Sequence, residues 1–240
     1  MDYSAAFAGL KVIDLSGGVA GPSCAMMMAQ HGADVIKIET PHNGGDWSRI
    51  LGRTYGDHSA FSFYGTLGKR ALALDLKTPE GKDVLWRLIE GADVFIEGFK
   101  PGTIERYGFG YDAVSAKEPK IIYYSISGFG QTGPLAARPA MDPVLQAFTG
   151  IVTENKGEHD NHPHRIAISL IDMFSGMPAC GRWEPMSSTS APTTSSCRSI
   201  RSGRRKPPAG LRWMPATFGC RWMTRPAWST TGTIVPDHGR

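Results

Sequence analysis

Apolar positions follow two alternating rhythms between residue 10 and about residue 130. Short β-branched runs, apolar at nearly every position, are separated by stretches whose apolar residues recur every three or four places. The runs suit strands buried on both faces, and the stretches suit amphipathic helices crossing between them. Leu10-Lys-Val-Ile-Asp-Leu15 predicts a first strand, Ser23 to His31 a Met- and Ala-rich helix stopped by Gly32, and Asp34-Val-Ile-Lys-Ile-Glu39 a second strand. Gly17, Gly18 and Gly21 permit a tight strand-to-helix turn, and Pro22 suits a first helical position. Ala71 to Leu76 predicts a third strand. Thr78 is the expected N-cap and Pro79 the first residue of a helix ending near Gly91, with Val84, Leu85, Leu88 and Ile89 on one face. Asp93-Val-Phe-Ile-Glu97 and Lys120 to Ser127 predict two further strands. The expected fold class is α/β, a doubly wound, Rossmann-like parallel sheet with crossover helices.

Beyond residue 180 both rhythms stop. Residues 181–240 hold four branched aliphatic residues (Ile200, Leu211, Ile234, Val235) beside seven prolines, sixteen Ser or Thr and four of the six tryptophans. Charge divides at the same place. The whole chain carries a formal +4, but residues 1–180 have 16 Lys and Arg against 20 Asp and Glu, a net of −4, and residues 181–240 have 10 against 2, a net of +8. Three readings of this irregular C-terminal segment are open: a basic, Trp-containing tail that tracks nucleic acid, a disordered tail, or a frameshifted translation of a G+C-rich gene.

With 41% apolar and 20% charged residues over 240 positions, the chain is neither collagen, coiled coil nor wholly disordered. No run reaches the ~18–20 apolar residues of a membrane span, and the N-terminus lacks the basic and apolar regions of a secretory signal. Cys24, Cys180, Cys197 and Cys220 show neither disulfide-framework nor zinc spacing. A cytoplasmic location is the default expectation, with no membrane or nucleic-acid partner and no bound metal.

Two glycine clusters invite a nucleotide. Ser16-Gly-Gly-Val-Ala-Gly-Pro22 lies between strand and helix, where N–H groups can cradle a phosphate, and Glu39 follows about twenty residues on. A nicotinamide oxidoreductase is one reading of this turn, and glycines that merely make a tight turn are another. Gly128-Phe-Gly-Gln-Thr-Gly133 has the G-x-G-x-x-G spacing, but Pro134, Pro139 and Pro143 interrupt any following helix, so an irregular loop is expected. His159, His162 and His164 fall in a polar, Pro-containing stretch that reads as a solvated loop rather than a ligand cluster.

Six stretches, in order, resemble the N-terminal half of the family III CoA-transferases, the group of formyl-CoA and carnitine CoA-transferases and the related α-methylacyl-CoA racemases. They are Leu10 to Ser16 with Ala20-Gly-Pro22; Gly32 to Glu39; Lys69-Arg70 leading to Leu74-Asp-Leu-Lys77; Ala92 to Gly102; Ser127 to Pro134; and Asp142 to Ala147, followed by Asp172 and Gly176-Met177. The resemblance covers about residues 8–180. It implies a large-domain fragment over residues 1–180, incomplete relative to the full family fold, and a non-homologous tail over 181–240, for which it favours the frameshift reading.

The resemblance further implies that Asp172 is the catalytic nucleophile, just before a helix. Its carboxylate would attack a thioester carbonyl, giving an aspartyl anhydride and then an aspartyl-CoA thioester. A plain N-cap role is the alternative for this residue. No tightly bound cofactor is expected; a coenzyme A thioester is the substrate, with a small carboxylic acid as acceptor. CoA contacts carry over to Gly18, Val19, Ala20, Leu74, Lys77, Phe99 and Arg106, with Arg138 a further candidate. Thr40 stands where relatives often have Arg, and Gly98 where they often have Asn. The racemase branch uses a histidine where this chain has Met141, which favours the transferase. Relatives are interlocked homodimers, so this chain is expected to leave a sheet face uncovered, to fold poorly and to show little or no transferase activity.

Overall fold

The computed structural model describes residues 6–157, 161–181 and 219–223. Five parallel strands form the centre: β1 (Lys11–Leu15), β2 (Asp34–Glu39), β5 (Arg70–Ala73), β6 (Val94–Glu97) and β7 (Ile122–Ser127). They are ordered β5-β2-β1-β6-β7, the doubly wound arrangement in which the winding direction reverses between β1 and β6. A small antiparallel pair, β3 (Thr54–Tyr55) and β4 (His58–Ser59), stands apart.

Alternation along each strand feeds two cores. Val12, Val35, Val94, Ile96, Tyr124 and Ile126 face Cys24, Ala25 and Met28 of α1 (Ala20–Gln30). Ile13, Ile36, Phe95 and Tyr123 face the other way. There they meet Leu85 and Ile89 of α3 (Pro79–Ile89), Ile104 of α4 (Thr103–Tyr107) and Val114 of α5 (Tyr111–Lys117). Both faces of the sheet are therefore covered by crossover helices, contrary to the expected bare face. The exposed apolar side chains lie instead on the outer elements: Trp47 and Ile50 on the 3₁₀ turn Trp47–Ile50, Phe63 on α2 (Ala60–Thr66), Phe148 on α6 (Asp142–Phe148), and Phe174 and Met177 on α8 (Leu170–Gly181).

Several boundaries move. Helix α1 begins at Ala20 rather than Ser23, because Gly18 (φ 77°), the third residue after β1, completes the turn. Pro22 is thus the third helical residue, where its missing N–H still costs nothing. Strand β5 stops at Ala73, and residues 75–78 turn around the Asp75 carbonyl, which accepts from the Thr78 N–H at 3.1 Å. Thr78 caps α3 as expected, accepting from Gly81 N–H at 3.1 Å. Residues 128–141 are irregular, also as expected; α6 and the short α7 (Ile151–Glu154) follow.

The readings of residues 181–240 fall outside the described residues, apart from Gly181 and β8 (Gly219–Met223). That strand pairs antiparallel with β7 although the segment's sequence has no alternation. An open sheet edge recruits a strand through backbone groups, which side-chain pattern does not reveal. Among the described residues no helix is long and apolar enough to cross a membrane.

Candidate active site

A cavity of about 490 Å³ opens at the carboxyl ends of the strands, beside the point where the winding reverses. This is where doubly wound sheets bind ligands, because the chains leaving β1 and β6 diverge there. Gly17 follows β1, Gly98 follows β6 and Ser127 ends β7; all three line the cavity. Trp47 and Phe61 close one side, Met141 and Pro143 another, and Arg165, Ser169 and Asp172 a third.

The glycine turn is set by buried charge. Lys37 Nζ lies 2.9 Å from Asp46 Oδ2 and donates to the Ser16 carbonyl at 2.7 Å. Asp46 in turn accepts the Gly18 N–H at 3.1 Å and the Ser48 N–H at 2.9 Å. Burial opposes the charge on Lys37, but Asp14 and Asp46 outweigh it and hold the ammonium above its usual range. Behind the turn, Lys69 and Asp14 pair at 2.7 Å with both side chains fully buried. Gly18 has no Cβ for a second reason: one would sit 2.5 Å from Cζ2 of Trp47. Asp46 therefore already holds the Gly18 N–H, one of the donors that a dinucleotide pyrophosphate would use, which counts against the nicotinamide reading.

Asp172 is the third residue of α8, not the residue before it, so it is not an N-cap. It is half-buried on the cavity wall. Burial, reinforced by the Asp142 carboxylate, pushes its carboxyl up to about 6. Two contacts seat its helix. Gly176 lets α8 lie on α1, where a Cβ would stand 2.7 Å from the Ala20 carbonyl. Tyr124 of β7 donates to the Ser175 carbonyl at 3.3 Å.

Of the other residues singled out in the sequence, Val19 and Ala20 line the cavity with Asp172, and Gly18 lies behind them. Leu74 and Phe99 sit just beyond β5 and β6 and pack on the core; Phe99 lies 6.1 Å from the Tyr107 ring. Lys77 is exposed, and the Arg106 guanidinium donates to Thr103 Oγ1 at 2.8 Å. These four share the carboxyl-end edge of the sheet but do not line the cavity, nor does Arg138. His162 and His164 are exposed on a loop, and His159 lies outside the described residues.

Sequence reasoning quoted Asp142 and Gln146 only within a resembling stretch, with no role of their own, and passed over Arg165. Asp142-Pro143 at a helix start, with Gln146 four residues on, was a readable signal of a local side-chain pair. Arg165 offered none, because nothing in its neighbourhood marks it as facing a cavity.

The fold is that of a doubly wound α/β protein with a carboxylate of raised proton affinity on the wall of its switch-point cavity. More particularly, a family model for CoA-transferase family III matches residues 7–182, and the chain belongs to that family. It is 40% identical over 176 residues to the succinate–glutarate CoA-transferase of Agrobacterium fabrum, a match covering 70% of this chain and 44% of that enzyme. Human succinyl-CoA:glutarate CoA-transferase is 34% identical over 174 residues, covering 72% and 39%. A crystal structure of a CaiB/BaiF family protein from Brucella suis superposes with a TM-score of 0.68 at 36% identity, covering 74% of this chain and 47% of that one. The chain thus spans less than half the length of these relatives.

Proposed function

We propose that this chain supplies the nucleophile of a CoA-transferase, with Asp172 carrying the acyl group and then CoA. The observation that supports this most directly is the raised carboxyl of Asp172 at the switch-point cavity. At a pKa of about 6 the group is about nine-tenths ionised at pH 7, yet more basic than a solvated carboxylate. One Asp172 oxygen attacks the thioester carbonyl, the carbon–sulfur bond breaks, and CoA leaves as thiolate. CoA thiolate then attacks the aspartyl carbonyl of this anhydride, giving an aspartyl-CoA thioester and releasing the donor acid. The acceptor carboxylate attacks that thioester, forming a second anhydride and expelling CoA thiolate, which attacks the acceptor's acyl carbonyl to give the new acyl-CoA and a free Asp172. No net proton is consumed.

CoA would run from the cavity along the carboxyl-end edge of the sheet, past Leu74, Phe99, Lys77 and Arg106. Among the described residues Arg165 is the one cation lining the cavity, and it suits the acceptor's carboxylate. The relatives named above act on succinate and glutarate, and another, from Acetobacter aceti, is named for oxalate, so a small carboxylic acid is the acceptor class. Met141, on the cavity wall, has no acid–base group, which disfavours racemase chemistry. The exposed Phe148, Phe174 and Met177 suit a homodimer contact.

Residues 1–180 carry this function, and 181–240 are a frameshifted continuation. A chain with the frame restored after residue 180 is expected to transfer CoA from succinyl-CoA to carboxylic acids. Asp172→Ala should abolish that transfer, and the 240-residue chain should show little. An active alanine variant would remove Asp172 as nucleophile. Arg165→Ala should raise the acceptor KM by about tenfold or more with little change in kcat, the loss of one charge-assisted contact. An unchanged KM would exclude Arg165 from the acceptor site.

A further inference from the structure

Helix α8 is capped from outside its own element. The N–H groups of a first helical turn have no intrahelical partners, and a side chain just before the helix ordinarily accepts from them. Ser169 holds that place, yet the N–H groups of Ile171 and Asp172 donate instead to Asp142 Oδ2, at 2.7 and 3.1 Å. Asp142 is 5% exposed. Its other oxygen accepts from the Gln146 side-chain amide, one turn along α6. Gln146 is fully buried and locks the segment leading to α8. Its Oε1 accepts from the Ile166 N–H at 2.7 Å, and its amide also donates to the Ile166 and Ile168 carbonyls at 3.2 and 3.3 Å.

A carboxylate at the third helical position can reach back to the free N–H groups of its own turn, as in a capping box. For Asp172 such bonds would favour the charged form and draw its oxygens onto the helix end, away from the cavity. With Asp142 already there, the Asp172 carboxylate accepts no hydrogen bond from any described residue, and only burial and a like charge act on it. The charged groups on its surroundings are few: Asp142 from α6 and Arg165 from the segment before α8. Helix α1, packed along α8, has Cys24 as its single titratable residue.

We infer that Asp142 is a positioning residue that occupies the N-terminal donors of α8, with Gln146 holding it there, and so denies them to Asp172 and keeps that carboxylate unbonded and facing the cavity. The inference rests on the reading of Asp172 as nucleophile. Its role is to keep a reactive carboxylate out of the stable resting place that its own helix would otherwise provide.

The test is a ¹³C-carboxylate NMR titration of the 240-residue protein, with the Asp172 resonance assigned by its loss in Asp172→Asn. The midpoint, near 6 in the unsubstituted chain, should fall by about one pH unit in Asp142→Asn, which removes the like charge and keeps an acceptor oxygen. It should fall further in Asp142→Ala, where the vacated donors turn to Asp172. Asp142→Ser, a smaller polar replacement, gives the same comparison if the alanine variant does not fold. A merely structural role would lower thermal stability and leave the midpoint in place; that result, or a midpoint no lower in the alanine or serine variant than in the asparagine one, would overturn the inference. No turnover is involved, so its failure leaves the nucleophile reading standing. Absence of an acyl adduct on Asp172, after the frame-restored chain meets succinyl-CoA, would sink that reading without moving any midpoint.

Discussion

Among the described residues neither Asp172 nor Glu97 forms an ion pair, and burial makes each bind its proton more tightly than a solvated group. As the proposed nucleophile Asp172 would react in its ionised form, so kcat/KM of a frame-restored chain should climb through about pH 6 and level above it. Glu97 is 2% exposed at the end of β6. It accepts from the Ser125 hydroxyl and from the Phe99 N–H at 2.9 Å. Burial pushes it from 4.5 to about 7, against the Phe99 bond and with help from Glu105. Across that window the folded chain holds a proton that the unfolded chain releases, so stability falls as pH rises from about 4.5 to about 7. Glu97→Gln removes that loss, and urea unfolding should find the variant more stable by a few kcal/mol at pH 8 and matched at pH 4. Equal stability at pH 8 would refute the buried, proton-hungry state. Only the family resemblance, through the position that Asp172 holds ahead of Gly176-Met177, singled out Asp172. The sequence hid Glu97, because Val-Phe-Ile-Glu reads as a strand end facing water until β7 sets Ser125 opposite it.

Among the elements, α8 matters most, since it carries Asp172 and lies against α1 through the missing side chain of Gly176. A methyl there would meet the Ala20 carbonyl at 2.7 Å and the Cys24 nitrogen at 3.1 Å. Backbone atoms cannot swing aside as a side-chain tip would, so Gly176→Ala should cost about 1–3 kcal/mol in denaturant unfolding and, in a frame-restored chain, lower the proposed transfer by displacing Asp172. Full stability in the variant would mean that the helices have room to separate. Strand positions were legible because β-branched runs leave no competing period, and Thr78-Pro79 announced α3. The start of α1 was not legible, since it depends on how few residues Gly18 needs to reverse the chain. The Asp142 cap on α8 was invisible for a different reason: its donors and acceptor are about 30 residues apart, and no local pattern encodes a long-range hydrogen bond.

At the scale of the molecule, the formal +4 is a sum of unlike parts. The family match ends at residue 182, and the +8 segment begins at 181. Sequencing the locus should reveal, in a neighbouring frame beyond residue 180, a continuation of family type. An uninterrupted frame with no such match in any register would refute the frameshift. Five parallel strands were readable from the alternation of apolar runs and helical stretches, whereas the covering of both sheet faces was not, since the resemblance implied a bare one. Strand β8 was not readable, because its backbone pairing with β7 is announced by no alternation in its sequence.

Order of synthesis gives the seating of α8 a consequence of its own. Tyr124, Asp142, Gln146, Gly176 and the α1 backbone that receives Gly176 all precede residue 180. The ribosome has therefore delivered every group that places Asp172 before most of the last 60 residues exist. At about 5–20 residues per second, adding those residues takes several seconds, ample time for a local helix to dock. Whatever reading frame supplies the last quarter of the chain, the carboxylate can already be in its place when that quarter is made.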